Sequence, residues 1–297
     1  MLKPIRIQLL GGLGNQLHCY VAAYVIARET ARPVILDGRW LSWTGSNGYR
    51  SCSIQKISLS KKFKPKVIKS IWAVKRGPIR RRISSILGQI DRNHFSKGLD
   101  SNKFESAEEL LESLRNDPKI DSISGYFASW DWAEKAKTFK DYQWDISDIC
   151  QSTKAISNRA SEAIGIHIRL GDYLHHPDIY PIISEEYFAQ AINRLRSNKQ
   201  EPYWIYTDDK SNLMKRYPKI VSGSQEIYGS KEMPEMDAFF LLSSHRKLVI
   251  SNSTFSSWAA HVSEITNSVE IVCPAEYLIG EFNDSRPKNW IRMPINP

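Results

Sequence analysis

The side chains best placed to do chemistry are His167, Arg169 and Asp172, crowded into the segment Ile164-Gly165-Ile166-His167-Ile168-Arg169-Leu170-Gly171-Asp172-Tyr173. A guanidinium beside an imidazole suits an anionic ligand, because its planar fork can grip two phosphate oxygens at once. The same residues admit a plainer arrangement, in which Arg169 and Asp172 simply pair with each other. Two more polar clusters follow apolar runs in the same way. Thr207-Asp208-Asp209 closes Tyr203-Trp204-Ile205-Tyr206, and Ser251-Asn252-Ser253-Thr254-Phe255-Ser256-Ser257 closes Lys247-Leu248-Val249-Ile250. Asp208 stands where a carboxylate meets a ribose or a base edge, or where it caps the next helix. The Ser253 and Thr254 hydroxyls, with the free N–H groups of a starting helix, suit phosphate, although one N-cap also accounts for one hydroxyl. Phe255 packs either on a ligand ring or in the core.

These side chains need a scaffold that brings strand ends together. Alternating apolar residues at 164, 166 and 168 give a strand, and Gly171 permits a tight turn at its tip. Downstream, Ser184 caps a helix with Tyr187, Phe188, Ala191, Ile192 and Leu195 on one face. Strands at Tyr203–Tyr206, Lys219–Ser222, Lys247–Ile250 and Val269–Val272 alternate with helices ending near Tyr217, at Pro234–Ser244 and at Trp258–Val262. Five strands in this alternation predict a doubly wound parallel sheet, in which ligands lie beyond the C-terminal strand edge. The N-terminal half begins the same way: strand Ile5–Leu10, the turn Gly11-Gly12-Leu13-Gly14-Asn15-Gln16, and a helix carrying Leu17, Tyr20, Val21, Tyr24, Val25 and Arg28. Pro33–Gly38 is its second strand, residues 39–120 look like decoration on this domain, and Asp121–Phe127 is a further strand. The polar segment Asp145–Asn158 places the boundary near 155. An N-terminal domain thus covers 1–155, with a basic insertion at about 60–90, and a C-terminal domain covers 156–297.

Motifs that are missing narrow the chemistry. The glycines at 11, 12 and 14 do not form G-x-G-x-x-G, which argues against a dinucleotide site. No G-x-x-x-x-G-K-[ST] occurs, and no D-x-D stands at a strand end to carry a divalent metal, so neither metal nor cofactor is expected. Arg169 would then supply the charge that a metal supplies elsewhere. A nucleoside diphosphate leaving group fits this pocket, and sugar transfer is the matching reaction.

In 297 residues, 41% are hydrophobic and 25% charged, the balance of a globular protein. Cys19, Cys52, Cys150 and Cys273 are widely spaced and read as reduced thiols. No apolar run reaches the length of a membrane span, so a cytoplasmic location is expected. The net charge of +9 is local, since Lys61–Arg82 holds ten Lys or Arg and no acid. Val67, Ile68, Ile71 and Trp72 recur there at helical spacing, as do Ile79, Ile83, Ile86 and Ile90. Basic amphipathic helices of this kind lie on anionic membrane surfaces, which would make the protein peripheral on the inner face of the membrane. A solvated helical hairpin packed on its own domain is the alternative.

The blocks Gly11–Gln16, His167–Tyr173 and Ser251–Ala260, with lesser matches at Gly125-Tyr126-Phe127, Tyr206–Asp209 and Asp237, resemble those of the alpha-1,2-fucosyltransferases. The resemblance runs in family order from residue 5 to about 273, apart from 39–120. It implies a GT-B-like fold, two Rossmann-like α/β domains facing across a cleft. It also implies a metal-independent, inverting transfer of fucose from GDP-fucose to a hydroxyl of a glycan acceptor, such as O2 of a galactose-like residue. Carried over by position, Arg169 and His167 bind the diphosphate; Asp172 is a candidate base from its place in the sequence alone, against an ion pair to Arg169 or a turn hydrogen bond. Ser253, Thr254 and Phe255 surround the diphosphate, Asp208 joins the donor site, and Asn15 and Gln16 with Gly12 and Gly14 approach from the other domain. Three positions depart from the pattern. Leu170 stands where the family usually has a second arginine, Leu17-His18 where it has Met-Phe, and Ser257 where it has Trp. A glycan built on a lipid diphosphate would bring the acceptor to the membrane face where Lys61–Arg82 docks. The alternatives are the same fold with another nucleotide-sugar donor, or a nucleic-acid or anionic-surface binder using that block; no nucleic acid is expected.

Overall fold

The computed structural model describes residues 3–42, 51–68, 98–146, 149–279 and 285–296. The chain divides into two compact units, Met1–Asp145 and Ile146–Pro297. This division precedes the expected position near 155, because helix Gln151–Ala160 is tied to the second unit. Buried Asp237 accepts hydrogen bonds from the Cys150 amide at 2.9 Å and from Thr153 Oγ1 at 2.7 Å, at the start of that helix.

The first unit is built on β1 (Ile5–Gln8), α1 (Leu13–Thr30), β2 (Val34–Asp37), β3 (Lys66–Ile68), β4 (Gly98–Asp100) and β5 (Ser122–Ser124). The strands form one parallel sheet in the order β3-β2-β1-β5-β4. Gly11 turns the chain from β1 into α1 with φ +67, and a Cβ there would meet Asn15 Nδ2 at 2.5 Å, so only glycine fits. Helix α1 is apolar on nearly every side, and Leu17, Val21, Ala22, Val25 and Ile26 are all fully buried, as a core helix requires. Helices α2 (Ala107–Asn116), capped by Ser106 Oγ on the Glu109 amide, and α3 (Asp131–Lys137) complete the layer.

Two expectations change here. The stretch 39–120 is not mere decoration, since it supplies both edge strands, β3 and β4, of the sheet. The basic segment does not begin as a helix: Lys66, Val67 and Ile68 pair in parallel with Ile35, Leu36 and Asp37. Adjacent β-branched residues fit a pleated edge better than a helical turn. Residues 69–97, and with them most of the basic block, lie outside the described residues.

The second unit contains α4 (Gln151–Ala160), β6 (Ile164–Ile168), α5 (Glu185–Leu195), β7 (Tyr203–Thr207), α6 (Lys210–Arg216), α7 (Pro218–Ser222), β8 (Glu226–Gly229), α8 (Glu235–Ser243), β9 (Lys247–Val249), α9 (Thr254–Thr266), β10 (Glu270–Pro274) and β11 (Ile291–Met293). All six strands run parallel in the order β8-β7-β6-β9-β10-β11. The strand expected at Lys219–Ser222 is instead the short helix α7, because Pro218 at its first position presets φ for a helix. The true strand follows it as β8, and β11 adds a sixth. Two Rossmann-like α/β units, each with a parallel sheet, are therefore present. No described helix is long and apolar enough to cross a membrane.

From β6 the chain steps outward through β7 to β8, then crosses back to β9 on the other side of β6. That reversal opens a crevice at the C-terminal ends of β6 and β9, the position where open α/β sheets hold ligands. The core beneath it joins Ile164, Ile166, Ile168 and Leu170 to Tyr187, Phe188, Ile192, Ile205 and Val249.

Candidate active site at the strand switch point

Strand β6 is buried along its whole length and delivers His167 near its end, only 4% exposed. His167 Nδ1 lies 2.9 Å from Ser251 Oγ, contributed by the segment just after β9. The imidazole leans on Phe255 with ring centroids 5.3 Å apart, and Phe255 meets Phe239 of α8 edge-on at 5.6 Å. Burial, reinforced by the nearby charge of Arg169, lowers the His167 pKa to about 3. A neutral ring follows at physiological pH.

Arg169 follows the strand and is held from two sides. Its guanidinium donates to Asp172 Oδ1 at 2.5 Å and pairs with Asp208 Oδ2 at 3.0 Å. Burial alone would lower its pKa, but Asp208 and Asp172 outweigh burial and raise it. The ion pair between Arg169 and Asp172, open as a plainer alternative from the sequence, is thus present, and Asp208 extends it to a triad. Asp208 also accepts the Leu170 amide at 2.9 Å, so it fixes backbone and guanidinium together. Gly171 makes this possible, since a Cβ there would lie 2.2 Å from Asp208 Oδ2.

Helix capping falls to the neighbouring acid. Asp209 Oδ1 accepts from the Asn212 amide at 3.0 Å at the start of α6, which leaves Asp208 for Arg169. Of the two roles expected for Asp208, helix capping thus belongs to Asp209, and Asp208 holds Arg169.

Ser253 occupies the N-cap of α9, yet its side chain makes no capping hydrogen bond. The Ser256 hydroxyl instead folds back on the Ser251 and Ser253 carbonyls at 3.4 and 3.1 Å. A buried helix start carrying an uncommitted hydroxyl, with Phe255 against the His167 ring, presents donors of the kind an anion needs. Thr254 opens the helix in a half-buried position, and Phe255 stacks on His167, as already described.

Two neighbours were not singled out from the sequence. Asn252, 1% exposed, donates through Nδ2 to the Pro181 and Tyr277 carbonyls at 3.1 and 3.2 Å, joining two loops at this edge. Its own carbonyl accepts the Tyr173 hydroxyl at 2.9 Å. Tyr173 in turn stacks on Tyr180 at 4.0 Å and lies beneath the Arg169 guanidinium at 5.4 Å. A Tyr directly after the turn was the available signal for this stack.

Leu170 is wholly buried in the core cluster, so its side chain points away from the charged edge. In this chain, position 170 belongs to the packing of the unit and not to the charge of the site.

In the first unit, the expected donor residues divide. Gly12 is the extended N-cap of α1, and a Cβ there would meet nothing within 4 Å. Asn15 is half-buried in the first turn, while Gly14 is buried. The Gln16 amide is fully engaged inside its own unit: Nε2 donates to the Gly11 and Ser51 carbonyls at 3.1 and 2.8 Å, and Oε1 accepts from the Ser53 amide at 3.3 Å. Gln16 thus braces the segment at 51–53 instead of standing open to a donor. Among the described residues, no group of three or more His, Cys, Asp or Glu is arranged to hold a metal ion.

The fold and these contacts define a doubly wound α/β protein that gathers Arg169, His167 and the start of α9 at its switch point. A family model described as glycosyl transferase family 11 matches residues 119–293. The chain belongs to this family and is a glycosyltransferase. It is 24% identical to an alpha-1,2-colitosyltransferase of Escherichia coli, over 96% of this chain and 97% of that protein. It is 25% identical to the O-antigen biosynthesis glycosyltransferase WbnK of Escherichia coli, over 96% and 99%. To galactoside alpha-(1,2)-fucosyltransferase 2 of Sus scrofa it is 22% identical, over 86% and 69%.

Proposed function

We propose that this chain transfers fucose from GDP-fucose to O2 of a galactose-like residue in a bacterial surface polysaccharide, with inversion at the anomeric carbon. The observation that carries this reading is Arg169, held at the switch point beside the neutral His167 and the open start of α9. In the reaction, the acceptor oxygen bonds to C1 of the sugar as the bond from C1 to the β-phosphate oxygen breaks. The acceptor's proton passes to a base, and the electron pair leaves with GDP. Negative charge grows on the departing phosphate as it forms, and a preorganised guanidinium and N–H donors stabilise it most at that moment.

Asp172 is a poor candidate for the base, since its carboxylate already pairs with Arg169 at 2.5 Å. The names of the relatives support both the α-1,2 linkage and an O-antigen acceptor. One of them also favours a second reading, a colitosyl donor in place of a fucosyl one. The basic stretch Lys61–Arg82 supports an acceptor presented on an anionic membrane surface, as a lipid-diphosphate-linked glycan would be. Calorimetric titration with GDP, GDP-fucose and UDP tests the donor. Tight binding of the guanine nucleotides with no response to UDP is expected, and preference for UDP would overturn the assignment. The mass of the transferred sugar in the product then separates the two donors, and linkage determination tests attachment at O2.

A further inference from the structure

Hydrogen bonding alone determines which nitrogen of His167 carries the proton. Ser251 Oγ and His167 Nδ1 are 2.9 Å apart, and geometry permits either to donate. The hydroxyl hydrogen decides between them. Ser251 is 1% exposed, and among the described residues His167 Nδ1 is the sole hydrogen-bond partner of its hydroxyl. If Nδ1 carried the ring proton and donated, the hydroxyl hydrogen would be buried with no acceptor, at the full desolvation penalty of that group. Ser251 therefore donates, Nδ1 accepts, and the one hydrogen of the neutral ring sits on Nε2.

The same unit contains the opposite case. His245 Nδ1 faces the Ala163 carbonyl at 2.8 Å, which can only accept, so that ring carries its hydrogen on Nδ1. Its Nε2 then accepts from the Tyr206 hydroxyl at 2.8 Å. Two buried histidines of one unit thus hold opposite tautomers, each set by what its partner is able to give.

The local charge shows what an Nε2–H is for. Arg169 is shared between Asp172 and Asp208, so this triad carries one more negative charge than positive. A diphosphate arriving there needs donors that bring no carboxylate with them. We propose that Ser251 is a positioning residue that locks His167 as a neutral Nε2–H donor, which hydrogen-bonds an oxygen of the sugar donor's diphosphate and does not take the acceptor's proton. This rests on the GDP-sugar reading of the site.

Nitrogen-15 NMR of the histidine-labelled full chain reads the tautomers without any donor present. One ring with the Nε2–H pattern at His167 and one with the Nδ1–H pattern at His245 are expected at pH 7. An Nδ1–H or doubly protonated His167 would overturn the proposal. Ser251→Ala should disturb the His167 signals and leave those of His245 in place, which reports that the sheet is still folded, and Ser251→Thr should restore them. Unchanged His167 signals in a folded Ser251→Ala protein would overturn the role of Ser251. Adding GDP should shift the His167 Nε2–H resonance, and bound GDP that leaves it unmoved would overturn the proposal. Failure of GDP to bind at all would instead overturn the donor assignment, with the tautomer of the free protein still on record. In turnover, His167→Gln places an amide N–H near the Nε2 position and should stay within about tenfold of wild type in kcat, whereas His167→Ala should lose about a hundredfold, the scale of one lost oxyanion donor. Equal losses in the two variants would mean that the ring moves a proton, contrary to the proposal.

Discussion

Mild acid should unfold this protein through its buried histidines. Burial lowers the pKa of His18 and of His167 to about 3, the latter with help from Arg169, and burial lowers that of His245 to about 4. Each ring is neutral when folded and takes up a proton near pH 6.5 when unfolded. Their contribution to stability is therefore complete above about pH 6.5 and is lost as the pH falls from there toward the folded pKa values. At pH 5 each histidine costs about 2 kcal/mol relative to neutral pH. His18 lies in the first unit and His167 and His245 in the second, so the losses are about 2 and about 4 kcal/mol respectively. A domain with a typical stability of about 5–15 kcal/mol cannot absorb the larger figure without a visible change. The carboxylates with lowered pKa values, Glu108, Asp141 and Asp209, titrate below this window and do not mask it. Urea unfolding followed by circular dichroism at pH 7.5, 6 and 5 checks the prediction. The midpoint should fall steadily, with the second unit losing more. A midpoint that holds constant down to pH 5 would refute the argument, because at least one ring would then have to be charged or solvated in the native state.

Two substitutions separate chemistry from scaffold. Arg169→Ala removes the charge at the switch point and should lower kcat/KM by a factor of a hundred or more, about 3 kcal/mol, with the fold intact by circular dichroism. Asp237→Ala strands the buried Thr153 hydroxyl and the Cys150 amide and should cost about 1–3 kcal/mol of stability in chemical denaturation. Its kcat per folded molecule should stay near wild type, which would mark Asp237 as a tie between α4 and α8 and not a group of the site.

The alternation of strand and helix was legible because period and burial agree there. Ile164–Ile168 and Tyr203–Thr207 are buried at every position, and each ends where charged residues begin. Where the two signals part, reading from the chain fails. Lys219-Ile220-Val221 has strand-like residues, but Pro218 starts a helix, and the mostly half-buried segment Glu226–Gly229 takes the edge of the sheet instead. At the site, the residue types were visible and their partners were not. Ser251 meets His167 only because β9 lies next to β6, a strand order that local pattern does not encode. The division of labour between Asp208 and Asp209 was likewise hidden. Two adjacent acids after a strand look alike until the turn decides which faces the helix and which faces the guanidinium.

Leu170 carries a consequence for how this site can change over time. Its side chain has no exposure and sits among Ile183, Tyr187 and the β6 isoleucines, so an arginine introduced there alone would arrive as a buried charge with no counter-ion. A second guanidinium at that position is out of reach of a single substitution. The surrounding core would have to be remodelled along with it.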